Sequence, residues 1–147
     1  MITFQLLDAS HPRWEALARY AEKSAWQAGP ALARSMRNGD FSDWERVIAV
    51  LDEGAICGYC TVTKEDCIPN VPYTPYVGFV FVEEGHRGQR LSQRMIQFAM
   101  DYLKQAGFSR VYLTSDHENL YEQYGFSVVD RKRATWGAEE KIYMRTI

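Results

Sequence analysis

The residue types best suited to chemistry lie in one stretch, Tyr76 to Ala106 (YVGFVFVEEGHRGQRLSQRMIQFAMDYLKQA). At its centre Arg87-Gly88-Gln89-Arg90-Leu91-Ser92 joins a short apolar run, Tyr76–Val82, to a segment in which Leu91, Met95, Phe98, Ala99 and Tyr102 recur at helical spacing. The run predicts a strand buried on both faces. The periodic segment predicts a helix that ends at Gly107. A strand that enters a helix through a short basic turn leaves the first N–H groups of the helix without intrahelical partners. Those donors, the positive end of the helix dipole and the neighbouring arginines can together hold a phosphate. The spacing is that of neither common phosphate loop, since G-x-x-x-x-G-K-[ST] and G-x-G-x-x-G are both absent. A solvated basic helix start accounts for the same residues equally well. A second pattern, Cys57-x-x-Cys60, has the spacing of a metal or redox pair. It falls inside the strand-like run AICGYCTVT, with no second pair and no helix start to lower a thiol pKa, so ordinary thiols and no metal site are expected.

The elements that must position this junction read as follows. Ile2–Leu7 predicts an opening strand. A helix is expected from Ser10 or His11, with Pro12 in its first turn and Trp14, Leu17, Ala18, Ala21 and Ala25 on one face. Gly29-Pro30 breaks it, and Ala31–Met36 predicts a second short helix. Trp14 and Trp26 read as core or lid residues, with a substrate role for Trp26 as the lesser reading. Trp44–Leu51 and Ala55–Thr63 form a hairpin around Asp52-Glu53-Gly54. Lys64–Pro75, with its prolines and no period, predicts a loop able to line a pocket. Ser109–Ser115 is a further strand, parallel to Tyr76–Val82 because a helix joins them. Asp116–Gly125 predicts a short helix, and Phe126–Asp130 with Lys141–Ile147 a closing antiparallel pair. The charges of Asp130-Arg131-Lys132-Arg133 read as a solvated face.

With 147 residues, 46% hydrophobic and 24% charged, the chain has the size and composition of one globular domain spanning residues 1–147. A net charge of −2 gives no drive toward nucleic acid or an anionic membrane. No apolar stretch reaches transmembrane length and no signal-like leader opens the chain, so neither a nucleic-acid nor a membrane partner is expected. Three unpaired cysteines fit a reducing, cytoplasmic compartment.

The element order β-α-α-β-β-β-α-β-α-β-β, the basic turn opening the main helix, and Leu120-Tyr121-Glu122-x-Tyr124-Gly125-Phe126 after the fifth strand resemble the GNAT superfamily of N-acetyltransferases. The resemblance covers essentially the whole chain. It implies an α/β (α+β) fold with a central mixed sheet of about six to seven strands flanked by about four helices. The family's acetyl-CoA signature is Arg or Gln, two free positions, Gly, one free position, then Gly or Ala. Arg87-Gly88-Gln89-Arg90-Leu91-Ser92 occupies that slot, with Arg90 in place of the first signature glycine and Ser92 in place of the last small residue.

What the resemblance implies for chemistry is specific. The backbone of Val80, Phe81 and Val82 would pair with the pantetheine arm of acetyl-CoA, and the N–H groups of Arg87, Gly88, Gln89, Arg90, Leu91 and Ser92 would hold its pyrophosphate. Backbone recognition tolerates a side chain at Arg90, whose guanidinium can itself meet a phosphate. The reaction implied is direct attack of a primary amine, on a small molecule or a protein, on the thioester, with acetyl-CoA as co-substrate and no metal. The proton donor to the departing thiolate carries over to Tyr121, a phenol protonated at neutral pH. His117, near the end of the fifth strand, is the candidate base. Tyr124 reads as a core residue instead. Use of a longer acyl-CoA, or a non-catalytic acyl-CoA-binding or regulatory module, are the alternatives, and a homodimer formed through exposed aromatics such as Trp136 is a further expectation.

Overall fold

The computed structural model describes residues 1–147. Seven strands form one mixed sheet: β1 (Ile2–Leu7), β2 (Arg46–Asp52), β3 (Ala55–Thr63), β4 (Tyr76–Val82), β5 (Arg110–Ser115), β6 (Ser127–Arg133) and β7 (Glu139–Thr146). Their spatial order is β1-β2-β3-β4-β5-β7-β6, and every neighbouring pair is antiparallel except β4 with β5. Three α-helices cover the sheet: α1 (Trp14–Lys23), α2 (Gly29–Arg37) and α3 (Leu91–Gln105).

The two-residue period of β2 explains the layering. Val47, Ala49 and Leu51 join Leu17, Ala21 and Leu32 in one core, under α1 and α2. Ile48 and Val50 point the other way, into a second core with Met95, Ile96, Ala99 and Leu103 of α3. The two helical stripes have the spacing the sequence shows, Trp14, Leu17, Ala18 and Ala21 in α1 and Leu91, Met95, Ala99 in α3. A third, smaller cluster forms where the irregular Lys64–Pro75 segment folds back, setting Ile68 against Tyr76, Tyr112 and Ile142.

Several expected boundaries move. The helix expected to run on to Gly29 stops at Lys23, because the Ser24 N–H and hydroxyl both turn back to the Ala21 carbonyl (3.2 and 2.7 Å). Ala25 therefore lies outside it. Pro12 sits in the turn before α1 rather than within its first turn, and Gly29-Pro30 starts α2 rather than merely ending α1. The helix expected over Asp116–Gly125 shrinks to a 3-10 turn, Glu122–Tyr124, which leaves three α-helices instead of about four. Its upstream half is diverted: the His117 N–H donates to Ser115 Oγ at 3.0 Å, and Asn119 takes φ +62. A segment this short cannot recover the cost of nucleating a helix once its first residues are committed elsewhere.

One departure shapes the site. β4 and β5 share a single register pair, Tyr76 with Tyr112, supported by the Tyr112 N–H donating to the Pro75 carbonyl at 2.9 Å. Beyond that rung the strands diverge. β4 is also bulged, with its register to β3 shifting between Tyr59 and Thr61 and Phe79 at φ +49. β4 is thus not buried on both faces along its length as expected: Phe79, Val80 and Val82 are only half-buried.

Candidate functional site

The splay leaves the β5-facing edge of β4 without a strand partner past Tyr76, so its polar groups are open to pairing. At the end of β4 the chain makes a 3-10 turn (Glu84–His86) and enters α3 through Arg87–Arg90. Gly88 (φ +89) and Arg90 (φ +57) both take the left-handed conformation there. The result is a run of N–H groups, Gly88 to Gln93, that donate to no acceptor in the chain; the ladder begins with the Arg94 N–H to the Arg90 carbonyl at 3.0 Å. This is the anion-ready helix start the sequence suggested.

A cavity of about 710 Å³ lies over this junction, walled by Val80, Phe81 and Val82 of β4, by Arg87, Gly88, Arg90, Leu91 and Ser92, and by Trp26, Leu120, Tyr121 and Tyr124. Its only formally charged side chains are Arg87 and Arg90. Gln89 is exposed and lines none of it. The Arg87 Nε donates to the Val82 carbonyl at 3.1 Å, and Ser92 Oγ lies 3.0 Å from the Tyr124 hydroxyl, which ties α3 to the 3-10 turn. An apolar trough, an unpaired strand edge and an array of unpaired N–H groups flanked by arginines together fit a long acyl carrier with a phosphate end.

The left-handed conformation at Arg90 is where a glycine costs nothing and a side chain costs about 1 kcal/mol. Arg90→Gly is expected to raise stability by about 0.5–1 kcal/mol in chemical denaturation, while removing one of the two cations from the cavity. Unchanged stability would show that the left-handed conformation costs nothing at this position.

A second cavity, about 1280 Å³, lies on the other side of the splay. Its walls come from β4 (Val77–Val80), the end of β5 (Leu113–Ser115), the Lys64–Cys67 segment and the α1–α2 corner, with Trp136 at the rim. The β6–β7 connection that carries Trp136 is latched to the loop after β3 by the Thr135 N–H donating to the Cys67 carbonyl at 3.0 Å. The two cavities share Trp26, Val80, His117 and Tyr121.

Tyr121 is buried, its ring packed against Tyr124, Phe126 and Tyr143 at 5.6–6.3 Å, and its hydroxyl makes no hydrogen bond within the chain. Burial, with Tyr124 and Tyr143 adding to it, pushes the phenol up to about 12. His117 is exposed, 6.3 Å from Tyr121 ring to ring, and its carbonyl accepts the Tyr143 hydroxyl at 2.9 Å. Tyr124, expected in the core, packs against it half-buried and also lines the first cavity, while Tyr121 is the more fully buried of the two. The 3-10 turn replaces the helical spacing on which that expectation rested.

Trp26 stacks on Phe81 (6.0 Å) and packs against the core under α1 and α2, as expected of a core or lid residue, and it also lines both cavities. Leu120, Asp66 and Glu140 were not singled out from the sequence. Asp66 accepts the Thr114 hydroxyl at 3.1 Å, and burial pushes its carboxyl up to about 6. Cys57 and Cys60 are free, buried thiols whose pKa burial raises, which works against thiolate chemistry. No helix is long and apolar enough to cross a membrane.

Comparison with known proteins agrees with this geometry. Residues 5–126 match the family model for the acetyltransferase (GNAT) family. N-alpha-acetyltransferase 30 of Saccharomyces cerevisiae is 31% identical over 72 residues, covering 46% of this chain and 41% of that protein. The chain thus aligns with less than half the length of this curated relative. Among solved structures, aminoglycoside 6'-acetyltransferase type Ii superposes with a TM-score of 0.74 at 16% identity, covering 98% of this chain and 96% of that one. A GNAT family acetyltransferase from Elizabethkingia anophelis with acetyl-CoA bound gives 0.69 at 13%, covering 99% and 98%. The NatC complex bound to Gag peptide and CoA gives 0.68 at 17%, covering 99% and 98%. At these identities the structural likenesses are likenesses of fold.

Proposed function

This chain belongs to the acetyltransferase (GNAT) family, and on that premise we propose that it is an N-acetyltransferase, passing the acetyl group of acetyl-CoA to a primary amine. The observation that carries the reading is the meeting of two cavities, one basic and one open to the acceptor side, at Tyr121 and His117 over the unpaired edge of β4. An amine acceptor is supported by one relative's name, N-alpha-acetyltransferase 30, and by the fold shared with an aminoglycoside 6'-acetyltransferase.

Each group has a role in this reading. The N–H array from Gly88 to Gln93, flanked by Arg87 and Arg90, holds the pyrophosphate, and the open edge at Val80–Val82 pairs with the amides of the pantetheine arm. Bound there, acetyl-CoA supplies the thioester carbonyl that the amine attacks. An ammonium has no lone pair, so His117, exposed at the mouth common to both cavities, takes its proton directly or through water. Tyr121, protonated far above neutral pH, donates to the departing sulfur.

Calorimetric titration tests the coenzyme half. Acetyl-CoA is expected to bind about a hundredfold more tightly than S-acetylpantetheine, which lacks the pyrophosphate that the N–H array would grip. Thiol release on adding an amine then tests transfer. Equal affinity for the two thioesters would sink the assignment of the Arg87–Ser92 turn.

A further inference from the structure

An array of N–H groups grips a phosphate well only if it is in shape before the ligand arrives. From Gly88 to Leu91 the backbone has little of its own to hold it. Gly88 and Arg90 are both left-handed, and the helix ladder starts only with the Arg94 N–H. The ties to other elements lie at the two ends of this segment. On the helix side Ser92 Oγ meets the Tyr124 hydroxyl at 3.0 Å, and on the strand side the tie is His86.

His86 is the last residue of the 3-10 turn, whose backbone bonds run from the His86 N–H to the Glu83 carbonyl (2.9 Å) and from the Arg87 N–H to the Glu84 carbonyl (3.2 Å). Its ring leaves the turn: Nε2 lies 3.0 Å from Asp52 Oδ2, at the end of β2. The Asp52 carboxyl is held below the ordinary carboxylate range, by the His86 bond first and the Met1 ammonium next, so the proton of this contact sits on Nε2. His86 Nδ1 is shut off from solvent and has no partner. A ring there only to fill space would do so without that cost. His86 lines neither cavity, so it can act on a ligand only through the turn it holds. A second tie, the Tyr20 hydroxyl donating to Glu83 Oε2 at 2.7 Å, fastens the start of the same segment to α1.

Resting on the coenzyme reading above, we propose that His86 is a positioning residue for the pyrophosphate: its bond to Asp52 fastens the turn to β2 and keeps the Gly88–Gln93 N–H groups converged before acetyl-CoA arrives. The pair is partly exposed, so it adds little to global stability. What it supplies is order. Without it the backbone between Glu83 and Ser92 samples more states, and binding must meet the entropy of narrowing them. Only the phosphate end of the coenzyme feels that loss, because the pantetheine arm rests on Val80–Val82 instead.

The test is calorimetric titration of the full chain, wild type, His86→Ala and His86→Gln, with acetyl-CoA and with S-acetylpantetheine, beside a melting curve for each. His86→Ala is expected to weaken acetyl-CoA about tenfold and S-acetylpantetheine less than about twofold. Its melting temperature should stay within about 2 °C of wild type. His86→Gln, whose amide N–H can reach Asp52 as Nε2 does, should recover most of the acetyl-CoA affinity. Unchanged acetyl-CoA affinity in His86→Ala, an equal loss for the two thioesters, or a glutamine variant no better than alanine would each overturn the proposal. A measurement on the free wild-type protein stands even if the variants fail to fold. Amide order parameters across Gly88–Ser92 are expected near about 0.85, as in rigid backbone, and values under about 0.6 would overturn the proposal too. Wild-type protein that binds no acetyl-CoA removes the coenzyme reading and the proposal together, whereas wild-type binding that His86→Ala leaves intact removes the positioning role alone.

Discussion

Tyr121→Phe is expected to lower kcat by about a hundredfold or more while leaving acetyl-CoA affinity and folding stability close to wild type. The magnitude is what a positioned general acid contributes. The selectivity follows from the structure. The ring supplies the packing against Phe126 and Tyr143, and phenylalanine keeps it, whereas the hydroxyl bonds to nothing in the chain. Losing an unpaired hydroxyl should change stability by no more than about 0.5 kcal/mol. Steady-state kinetics with a thiol-release readout, paired with a denaturation curve, separate the two roles. Full turnover in the variant would make Tyr121 a packing residue and leave the departing sulfur to be protonated by water.

The second large effect is expected at a position with no chemistry. Gly29 opens α2 against the end of α1, and a Cβ built there would lie 2.0 Å from the Ala21 carbonyl oxygen and 2.5 Å from Ser24 Oγ. The nearer atom is backbone and cannot swing aside, so Gly29→Ala must pry the α1–α2 corner apart. We expect a loss of about 3 kcal/mol, seen as a fall in melting temperature of roughly 6–12 °C for a chain of this size. Trp26 lies in the same corner and stacks on Phe81, so acetyl-CoA affinity should fall with it. Gly85→Ala is the matched comparison: its Cβ would meet nothing within 4 Å, and its stability should stay within about 0.5 kcal/mol of wild type. Equal stability in the two variants would mean that the corner yields without cost.

Periodicity explains why so much of the scaffold was legible in the chain. β2 alternates between two cores and α3 repeats its apolar residues on one stripe, so burial is written into the order of residues. The junction at Arg87–Ser92 was legible for a related reason, since a strand pattern changing to a helix pattern marks the place where N–H groups are left over. The splay was not. The bulge beside it, with Phe79 at φ +49, falls on a residue that gives no sign of a left-handed conformation, and a bulge needs no special residue type. Two carboxylates of the larger cavity, Asp66 and Glu140, were hidden for another reason. Asp66 sits in a loop without period and Glu140 at the start of a late strand, and only the return of β7 beside β5 brings them to one cavity. Tyr124 reaches the first cavity as well as the core because a 3-10 turn forms where its spacing predicts a helix.

The single rung between β4 and β5 has a consequence beyond the site. The sheet is in effect two half-sheets, β1–β4 and β5–β7, zipped by one backbone pair and clasped by α3. On the coenzyme reading, the pantetheine arm fills the missing part of the seam, so the substrate completes the sheet as well as reacting in it. A ligand that binds only the closed form adds to folding free energy in proportion to the logarithm of its concentration. The lifetime of this protein in a cell would then track the supply of acetyl-CoA: well fed, the seam is held shut, and starved of the thioester, the same chain becomes an easier substrate for proteolysis.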